Sequence, residues 1–199
     1  MDNFCSVPKE KIFTSEIEIN KSRFLGFAKY VDSVEDAQSF VKYLRQEYKD
    51  ARHVVYGYIV NNAQKSSDDG EPSGTAGRPI LGLLLCKNCE YIVVAVVRYF
   101  GGTKLGAGRL LRAYQKAVQD VLEPNLVPYL KGRKYQISLS FSEYQPFLQT
   151  IKNKRIKVIK TEYCDKVILN LLCFDEFEHQ NMQFLGEEFG TLGGENANN

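Results

Sequence analysis

The chain has 199 residues, and Leu, Ile, Val and Phe account for 58 of them. This share is well above the ~20% below which chains usually stay disordered, so intrinsic disorder is excluded. The 26 Lys and Arg residues nearly balance the 24 Asp and Glu residues, and the net charge of +2 excludes a strongly basic nucleic-acid binder. Any recognition of polyanions must therefore come from a local cluster of charge.

The compartment is predicted from apolar runs and cysteines. The two longest apolar runs, residues 80–86 and 91–97, are far shorter than a membrane-spanning helix. The first nine residues carry no apolar core after a basic start, so a signal peptide is not predicted. Because the five cysteines form an odd number, we expect a cytoplasmic protein with reduced thiols.

The first part of the chain is predicted to alternate strands and helices. β-type residues over 15–31 predict strand structure, which ends before Ser33, a residue type that caps helices. Apolar residues with the spacing of one helical face then predict a helix that begins at Val34. Residues 53–60 predict a strand, and the Ser-, Asp-, Gly- and Pro-rich residues 61–77 predict a long loop.

A strand, a glycine-rich loop and a helix are predicted next. Residues 79–86 first predict a short buried helix. Residues 91–98 are continuously apolar up to the final arginine, which is typical of a strand covered on both faces. After the glycine-rich loop at 101–108, apolar residues repeat at intervals of three and four and predict an amphipathic helix that ends before Pro124.

The chain is predicted to form two domains. Prolines place a linker at 126–131, between a first domain of residues 1–125 and a second domain of residues 132–199. In the second domain the apolar pattern predicts a strand, a helix, two strands over 156–163 and 166–174, and a last helix. The apolar residues of that last helix are Phe177, Phe184, Leu185 and Phe189. The order βαββα predicts an α+β sandwich with helices on one face of an antiparallel sheet.

The glycine-rich loop is the strongest candidate site. Its glycines let the backbone approach a ligand closely, and the following helix directs unpaired N–H groups toward the loop. Residues 91–119 contain five Lys or Arg and no Asp or Glu, so the loop should attract a phosphate or a carboxylate. The candidate anion- or nucleic-acid-binding residues are Arg98, Gly101, Gly102, Lys104, Gly106, Gly108, Arg109 and Arg112. The alternative is a tight strand–helix corner beside a solvated basic face, and neither standard phosphate-binding motif is present.

Three carboxylates, Asp68, Asp69 and Glu71, lie in the predicted loop at 61–77. Carboxylate oxygens can bind a divalent cation, but the spacing does not fit a calcium-binding loop. We predict no metal site, and we expect these acids to bond backbone amides or to pair with arginines. The acidic loop is further expected to meet the glycine-rich loop, so that each holds the conformation of the other.

Charge is divided within the predicted second domain. Residues 131–160 hold eight Lys and Arg against the single acid Glu143, whereas residues 175–195 hold six acids and no Lys or Arg. The possible second basic patch consists of Lys152, Lys154, Arg155, Lys157 and Lys160. Two interpretations stay open: the patch contacts RNA phosphates, or it pairs with the acidic last helix of the same domain.

No catalytic residue and no cofactor are predicted. Cys86 and Cys89 form a lone C-x-x-C without a second pair, which favours free thiols over a zinc or redox site. The only histidines are His53 and His179. His53 is interpreted as a hydrogen-bonded strand residue.

Two blocks of sequence resemble the signature of the Impact/YigZ family. The first is SDDGEPSGTAG at 67–77, and the second is VRYFGGTKLGAGRLLRAY at 97–114. The whole chain resembles the two-domain bacterial YigZ branch. The resemblance implies an α+β fold with an N-terminal Impact domain, a β-α sandwich similar to domain IV of elongation factor G. It also implies a C-terminal ferredoxin-like domain similar to domain V of that factor.

The resemblance also implies a role connected with translation. Eukaryotic members of the family act in translational control through an additional N-terminal domain that is not apparent here. What carries over is the expectation of a cytoplasmic binding or regulatory protein, of unknown oligomeric state, that contacts RNA, the ribosome or another protein of the translation machinery through the basic glycine-rich loop. The alternative is an enzyme acting on a phosphorylated small molecule or nucleotide, with Asp68 or Asp69 as base or magnesium ligand.

Overall fold

The computed structural model describes residues 3–192, and the chain divides into two compact units. The N-terminal unit is Cys5–Val127, and the C-terminal unit is Pro128–Asn199 together with Met1–Phe4. The division falls within a short first strand, β1 (Phe4–Ser6). Within the described part of the chain, no helix has both the length and the apolar character needed to cross a membrane.

The N-terminal unit is built on a five-stranded antiparallel sheet. Its strands are β2 (Phe13–Ile19), β3 (Ser22–Tyr30), β4 (His53–Val60), β5 (Ala63–Ser67) and β6 (Ile92–Tyr99). The strand order is β2-β3-β6-β4-β5, which places β6 at the centre. The strands predicted over 15–31, 53–60 and 91–98 are confirmed, and residues 15–31 fold as the hairpin of β2 and β3.

The structure corrects the prediction that residues 61–77 form one long loop. Ala63–Ser67 form the edge strand β5, which pairs antiparallel with β4. Asn61 and Asn62 between the two strands have φ angles of 51° and 66°. Two left-handed residues in succession form the two-residue turn that suits the twist of a β-hairpin, so the chain folds back here.

Three helices cover the two faces of this sheet. They are α1 (Val34–Glu47), α2 (Gly77–Cys86) and α3 (Ala107–Leu122). The predicted helix start is confirmed, because the Ser33 side chain accepts the backbone N–H of Asp36 at 3.1 Å. One core cluster joins α1 to Val93, Ala95 and Val97 of β6. Because side chains alternate along a strand, the even-numbered residues of β6 face the other side, which α2 and α3 cover.

The C-terminal unit combines one helix with an antiparallel sheet. Its elements are β7 (Val127–Leu139), α4 (Phe141–Ile151), β8 (Ile156–Tyr163), β9 (Val167–Cys173) and β10 (Met182–Gly190). β7 and β8 both pair with β9, and β10 pairs with β7. A buried cluster formed by apolar residues of α4, β7 and β9 is the core of this unit.

Two predictions about this part of the chain are wrong. The segment predicted as the last helix is the strand β10, which pairs antiparallel with β7 from Met182 to Gly190. The observed order is therefore βαβββ, and the second helix expected of a ferredoxin-like domain is not found among residues 3–192. The linker predicted at 126–131 is also wrong, because residues 127–131 are the beginning of β7. Within this segment, Leu130 and Lys131 pair with Gly190 and Phe189 of β10.

Candidate functional site

The acidic loop consists of residues 68–76, between β5 and α2. The buried side chains of Glu71, Arg98 and Tyr114 connect this loop to the elements on either side of the glycine-rich loop. Arg98, near the end of β6, donates from Nη1 to Oε1 of Glu71 at 2.6 Å. The hydroxyl of Tyr114 on α3 donates to the same oxygen at 2.6 Å. Burial, together with the hydrogen bond to Glu71, raises the pKa of Tyr114, so this hydroxyl remains a donor in the physiological range.

The position of Arg98 follows from the register of the sheet. Arg98 lies opposite Phe24 of β3 and opposite His53 of β4, so the three side chains share one face. The guanidinium carbon lies 5.3 Å from the centre of the Phe24 ring and 5.6 Å from the centre of the Phe100 ring. Arg98 is predicted as part of an anion site, and the structure places it inside the unit, with only 6% of its side chain exposed.

Asp68 holds the acidic loop against the start of α2. Its Oδ1 accepts the backbone N–H groups of Ala76 and Gly77 at 3.0 and 2.8 Å, and its Oδ2 accepts that of Gly74 at 2.8 Å. Burial opposes ionisation, but these three amides outweigh it and lower the pKa of Asp68. The carboxylate thus caps the N-terminus of a helix whose N-cap residue provides no side-chain hydrogen bond of its own.

Asp69 connects the acidic loop to α1 and β4. Its Oδ1 accepts Nη2 of Arg45 at 2.7 Å, and its Oδ2 accepts the backbone N–H of Val54 at 2.6 Å. The carbonyl oxygen of Asp69 accepts Nδ1 of His53 at 2.7 Å. The expectations that the acids bond backbone amides and arginines, and that His53 is hydrogen-bonded, are therefore confirmed.

The glycine-rich loop starts where the backbone passes close to the β2–β3 hairpin. A Cβ atom added to Gly101 would lie 2.1 Å from the carbonyl carbon of Lys21, so only glycine fits there. Gly106 precedes α3 with a φ angle of 79°, a left-handed conformation that glycine adopts without strain. Gly102 and Gly108 are exposed, with nothing near the position of an added Cβ.

Three of the predicted cations reach the surface of the glycine-rich loop and of the first turns of α3. Lys104, Arg109 and Arg112 are all exposed. No hydrogen bond or ion pair joins their side chains to any other residue of the described chain. Lys116, one turn further along α3, is instead paired with Asp120 at 2.5 Å.

A pocket of about 400 Å³ opens between the acidic loop and the glycine-rich loop. Glu71 and Pro72 lie on one side of it, and Lys104 and Leu105 lie on the other. The two loops therefore face each other across the pocket. Glu71 joins the acidic loop to Arg98 of β6 and Tyr114 of α3, and that the two loops hold each other's conformation stays a prediction.

Three further lining residues, Arg52, His53 and Phe100, were not assigned to a site by sequence reasoning. The pairing of β4 with β6 brings Arg52 and His53 to the end of β6, and no motif marks these two residues. Phe100 follows β6 directly and belongs to the second signature block, although no role was predicted for it.

The predicted second basic patch is largely paired. Arg155 bonds Asp175 at 3.1 Å, Lys160 pairs with Glu162, and Lys154 lies 4.7 Å from the centre of the Phe177 ring. Lys152 and Lys157 have no such contact with another described residue. The Arg155–Asp175 pair agrees with the interpretation that the patch pairs within its own unit, although Asp175 lies in a loop and not in a helix.

No group of three or more His, Cys, Asp or Glu side chains within residues 3–192 is arranged to hold a metal ion. Both oxygens of Asp68 and both oxygens of Asp69 accept the hydrogen bonds given above. In the lone C-x-x-C motif, Cys86 is exposed and Cys89 is buried, and both are free. Burial raises the pKa of Cys89 to about 12, so this thiol is unreactive in the folded unit.

The whole site lies in a domain of known family. The Impact N-terminal domain matches residues 20–122, which is more than half of the 199 residues. This span contains the acidic loop, the glycine-rich loop and the buried Glu71, Arg98 and Tyr114. The chain belongs to the Impact family, and the resemblance noted in its sequence is confirmed, as is a fold with an Impact domain followed by a C-terminal domain.

Individual relatives agree with this assignment. The chain is 43% identical over 142 residues to the IMPACT family member YvyE of Bacillus subtilis (strain 168), across 70% of this chain and 64% of that protein. It is 43% identical over 110 residues to the IMPACT family member YigZ of Escherichia coli (strain K12), across 53% of this chain and 54% of that protein. The matches thus span less than two thirds of these relatives. The crystal structure of a hypothetical protein superposes with a TM-score of 0.61 at 30% identity, across 87% of this chain and 86% of that one.

Proposed function

We propose that this protein is a translation-associated binding protein that docks on RNA phosphates through the glycine-rich loop and the first turns of α3. Two lines of reasoning support the proposal. Membership of the Impact family connects the chain with translational control, as its sequence resemblance implies. The surface charge of the N-terminal unit supplies the chemistry, because phosphate oxygens are bound by Lys, Arg and helix N-termini.

One observation carries the proposal: Lys104, Arg109 and Arg112 are exposed cations without a partner among the described residues. They lie at the start of a helix whose N-cap, Gly106, provides no side-chain hydrogen bond. The positive end of the helix dipole and the three cations therefore act on the same patch of surface. Ionised groups without partners keep their full charge for a ligand, whereas paired ones must first lose their partner.

Salt-dependent RNA binding tests this proposal. The wild-type chain is titrated with a fluorescent single-stranded RNA at several salt concentrations, and the slope of log K against log salt counts the phosphates that are contacted. Each contact to single-stranded nucleic acid contributes about 0.7 to that slope. We expect the variant Arg109→Ala/Arg112→Ala to bind more weakly and to lower the slope by about 1.4.

The matched control is Lys116→Ala. Lys116 lies on the same exposed face of α3, but its charge is already balanced by Asp120. We expect the slope for this variant to remain within about 0.3 of the wild-type value, well below the ~0.7 of one contact. RNA binding that is the same in all three proteins would contradict the proposal.

The enzymatic alternative receives less support from the geometry. It requires Asp68 or Asp69 as a base or as a magnesium ligand. Asp68 accepts three backbone amides, and Asp69 accepts Arg45 and the backbone of Val54. Carboxylates that are fully engaged in holding a loop are poor candidates for moving a proton or binding an ion.

A further inference from the structure

The pocket between the two loops contains a buried donor that lacks a partner. Only 6% of the Arg98 side chain is exposed. Its Nη1 reaches Glu71 at 2.6 Å and its Nη2 lies 3.5 Å from Oγ of Ser22, but its Nε has no acceptor among residues 3–192. An unsatisfied buried N–H is costly. Because Arg98 lines the pocket, an oxygen atom of a ligand that displaces the groups covering Nε is the natural acceptor.

His53 presents an acceptor to the same pocket. Its Nδ1 lies 2.7 Å from the carbonyl oxygen of Asp69. A carbonyl oxygen can only accept, so Nδ1 carries the proton, and Nε2 of the neutral ring is left as an acceptor. That atom lies 3.9 Å from Oε1 of Glu71, too far for a hydrogen bond. A hydroxyl group of a ligand can therefore donate to Nε2.

The remaining lining residues divide into charged and apolar ones. Arg52 and Lys104 are exposed cations at the rim, and together with Arg98 they give the pocket three positive charges against the single negative charge of Glu71. Phe100 and Leu105 supply apolar surface, and Phe100 is 40% exposed. A volume of about 400 Å³ lies within the range of small-ligand sites.

We propose that this pocket binds one ribonucleotide unit. Its phosphate group contacts Arg52 and Lys104, its ribose 2′-hydroxyl donates to Nε2 of His53, and its base stacks on Phe100. An oxygen atom of the same nucleotide accepts Nε of Arg98. The combination of acceptors for hydroxyls, cations for phosphate and an exposed aromatic ring distinguishes a nucleotide from a bare anion. Hydrogen bonding to the 2′-hydroxyl also allows a protein to distinguish RNA from DNA.

This inference rests on the proposed function, because it names the part of RNA that the site recognises. A free nucleoside monophosphate has the same chemistry. Two pairs of probes therefore distinguish a free nucleotide from an RNA chain. The first pair is AMP and dAMP, and the second is a short single-stranded oligoadenylate made either as RNA or as DNA. Inorganic phosphate tests whether the charge alone accounts for binding.

Two variants test the individual contacts. In His53→Asn the amide nitrogen can replace Nδ1 as donor to the Asp69 carbonyl, but no acceptor is left at the position of Nε2. We expect this variant to lose the preference for ribose over deoxyribose. In Phe100→Leu apolar contact is retained and stacking is lost, so nucleotide binding should weaken by about tenfold while phosphate binding stays unchanged. Thermal melting of both variants near the wild-type temperature shows that the site is folded.

The outcomes separate this inference from the proposed function. A ribose preference that disappears in His53→Asn supports the pocket. Binding of AMP then indicates that the ligand is a free nucleotide, whereas binding of the RNA oligomer alone indicates that it is part of an RNA chain. Equal binding of RNA and DNA in wild type and in both variants overturns the pocket. If the variant Arg109→Ala/Arg112→Ala nevertheless weakens RNA binding, the proposed function stands without it. If AMP binds but RNA does not, the pocket stands as a nucleotide site and the proposed function fails.

Discussion

Replacing Glu71 by Gln tests whether a buried ion pair holds the acidic loop of the Impact domain against β6. The substitution keeps the shape of the side chain and leaves an amide oxygen for Tyr114, but it removes the charge that faces Arg98. Only 4% and 6% of the Glu71 and Arg98 side chains are exposed, so solvent does not screen the loss. Removing one member of a buried pair costs about 3–5 kcal/mol, because the remaining charge is left uncompensated. We expect a loss of about 3 kcal/mol, since glutamine retains part of the hydrogen bonding.

Urea-dependent labelling of Cys89 measures this loss in the N-terminal unit alone. Cys89 is 5% exposed, and it reacts with a thiol reagent only when the unit opens. With a urea dependence of ~2 kcal/mol per molar, a loss of about 3 kcal/mol lowers the labelling midpoint by about 1.5 M. Peptide-resolved mass spectrometry separates Cys89 from the exposed Cys86.

The control is the exposed pair of Arg23 and Glu16, which are joined at 2.8 Å with about half of each side chain exposed. Glu16→Gln should cost less than ~1 kcal/mol, because solvent screens this pair. The variant Glu71→Gln/Arg98→Met should lose at least ~1 kcal/mol less than the sum of its single variants. A midpoint for Glu71→Gln within 0.3 M of wild type, at a urea dependence of ~2 kcal/mol per molar, would refute the reasoning.

Two more predictions concern the loops themselves. Backbone amides lower the pKa of Asp68 below its ordinary value of 3.8, so this carboxylate stabilises the fold above about pH 4 and the contribution is lost as the pH falls through its folded pKa. The urea midpoint of the N-terminal unit, followed by hydrogen–deuterium exchange of β6 peptides because thiols do not react in acid, should therefore decrease more steeply with falling pH in wild type than in Asp68→Asn when the pH is below about 4. Parallel pH profiles would contradict this. Gly101→Ala should cost about 1–3 kcal/mol by forcing the β2–β3 hairpin to move, whereas Gly108→Ala, in open space within a helix, should be neutral or stabilising by up to ~1 kcal/mol. Thermal melting of the two alanine variants compares them directly, and equal melting temperatures would show that the close approach at Gly101 is unimportant.

Elements with strong local signals could be predicted from the sequence. Ser33 followed by an apolar stripe is a helix start that depends on neighbouring residues only, and α1 begins where it predicts. The continuously apolar β6 is buried on both faces, as its sequence predicts, and it is the central strand of its sheet. The contacts of the acidic loop were also predictable in kind, since carboxylates in a turn-rich loop must bond either amides or cations.

Elements that depend on distant partners could not be predicted in this way. Phe184, Leu185 and Phe189 have a spacing that is compatible with a helix. The segment instead pairs with the edge of β7 and forms the strand β10. Pairs of Lys131 with Glu187 and of Lys134 with Glu188 join the two strands. The edge strand β5 is polar and carries no apolar alternation, although the two asparagines before it are a turn signal that could have revealed the hairpin.

The placement of Arg98 shows why charge composition alone describes this site incompletely. Sequence reasoning groups Arg98 with Lys104, Arg109 and Arg112 because all four are near the same glycines. The strand register instead directs Arg98 inward, to the face where His53 and Phe24 lie opposite it. A local pattern reports which charges are near one another along the chain, and only the sheet determines which of them a neighbouring carboxylate neutralises.

The ion pair also determines how the pocket keeps its shape. Apolar contacts are non-directional, so two loops that met through leucines could slide past each other at little cost. Oε1 of Glu71 instead accepts donors from two separate elements, Arg98 of β6 and Tyr114 of α3, each at 2.6 Å. A shift of the acidic loop by about one ångström directly away from either donor would lengthen that bond from 2.6 Å to about 3.6 Å, beyond hydrogen-bond range. The buried pair therefore fixes the distance between the walls of the pocket, while the exposed cations at its rim are left free to meet a ligand.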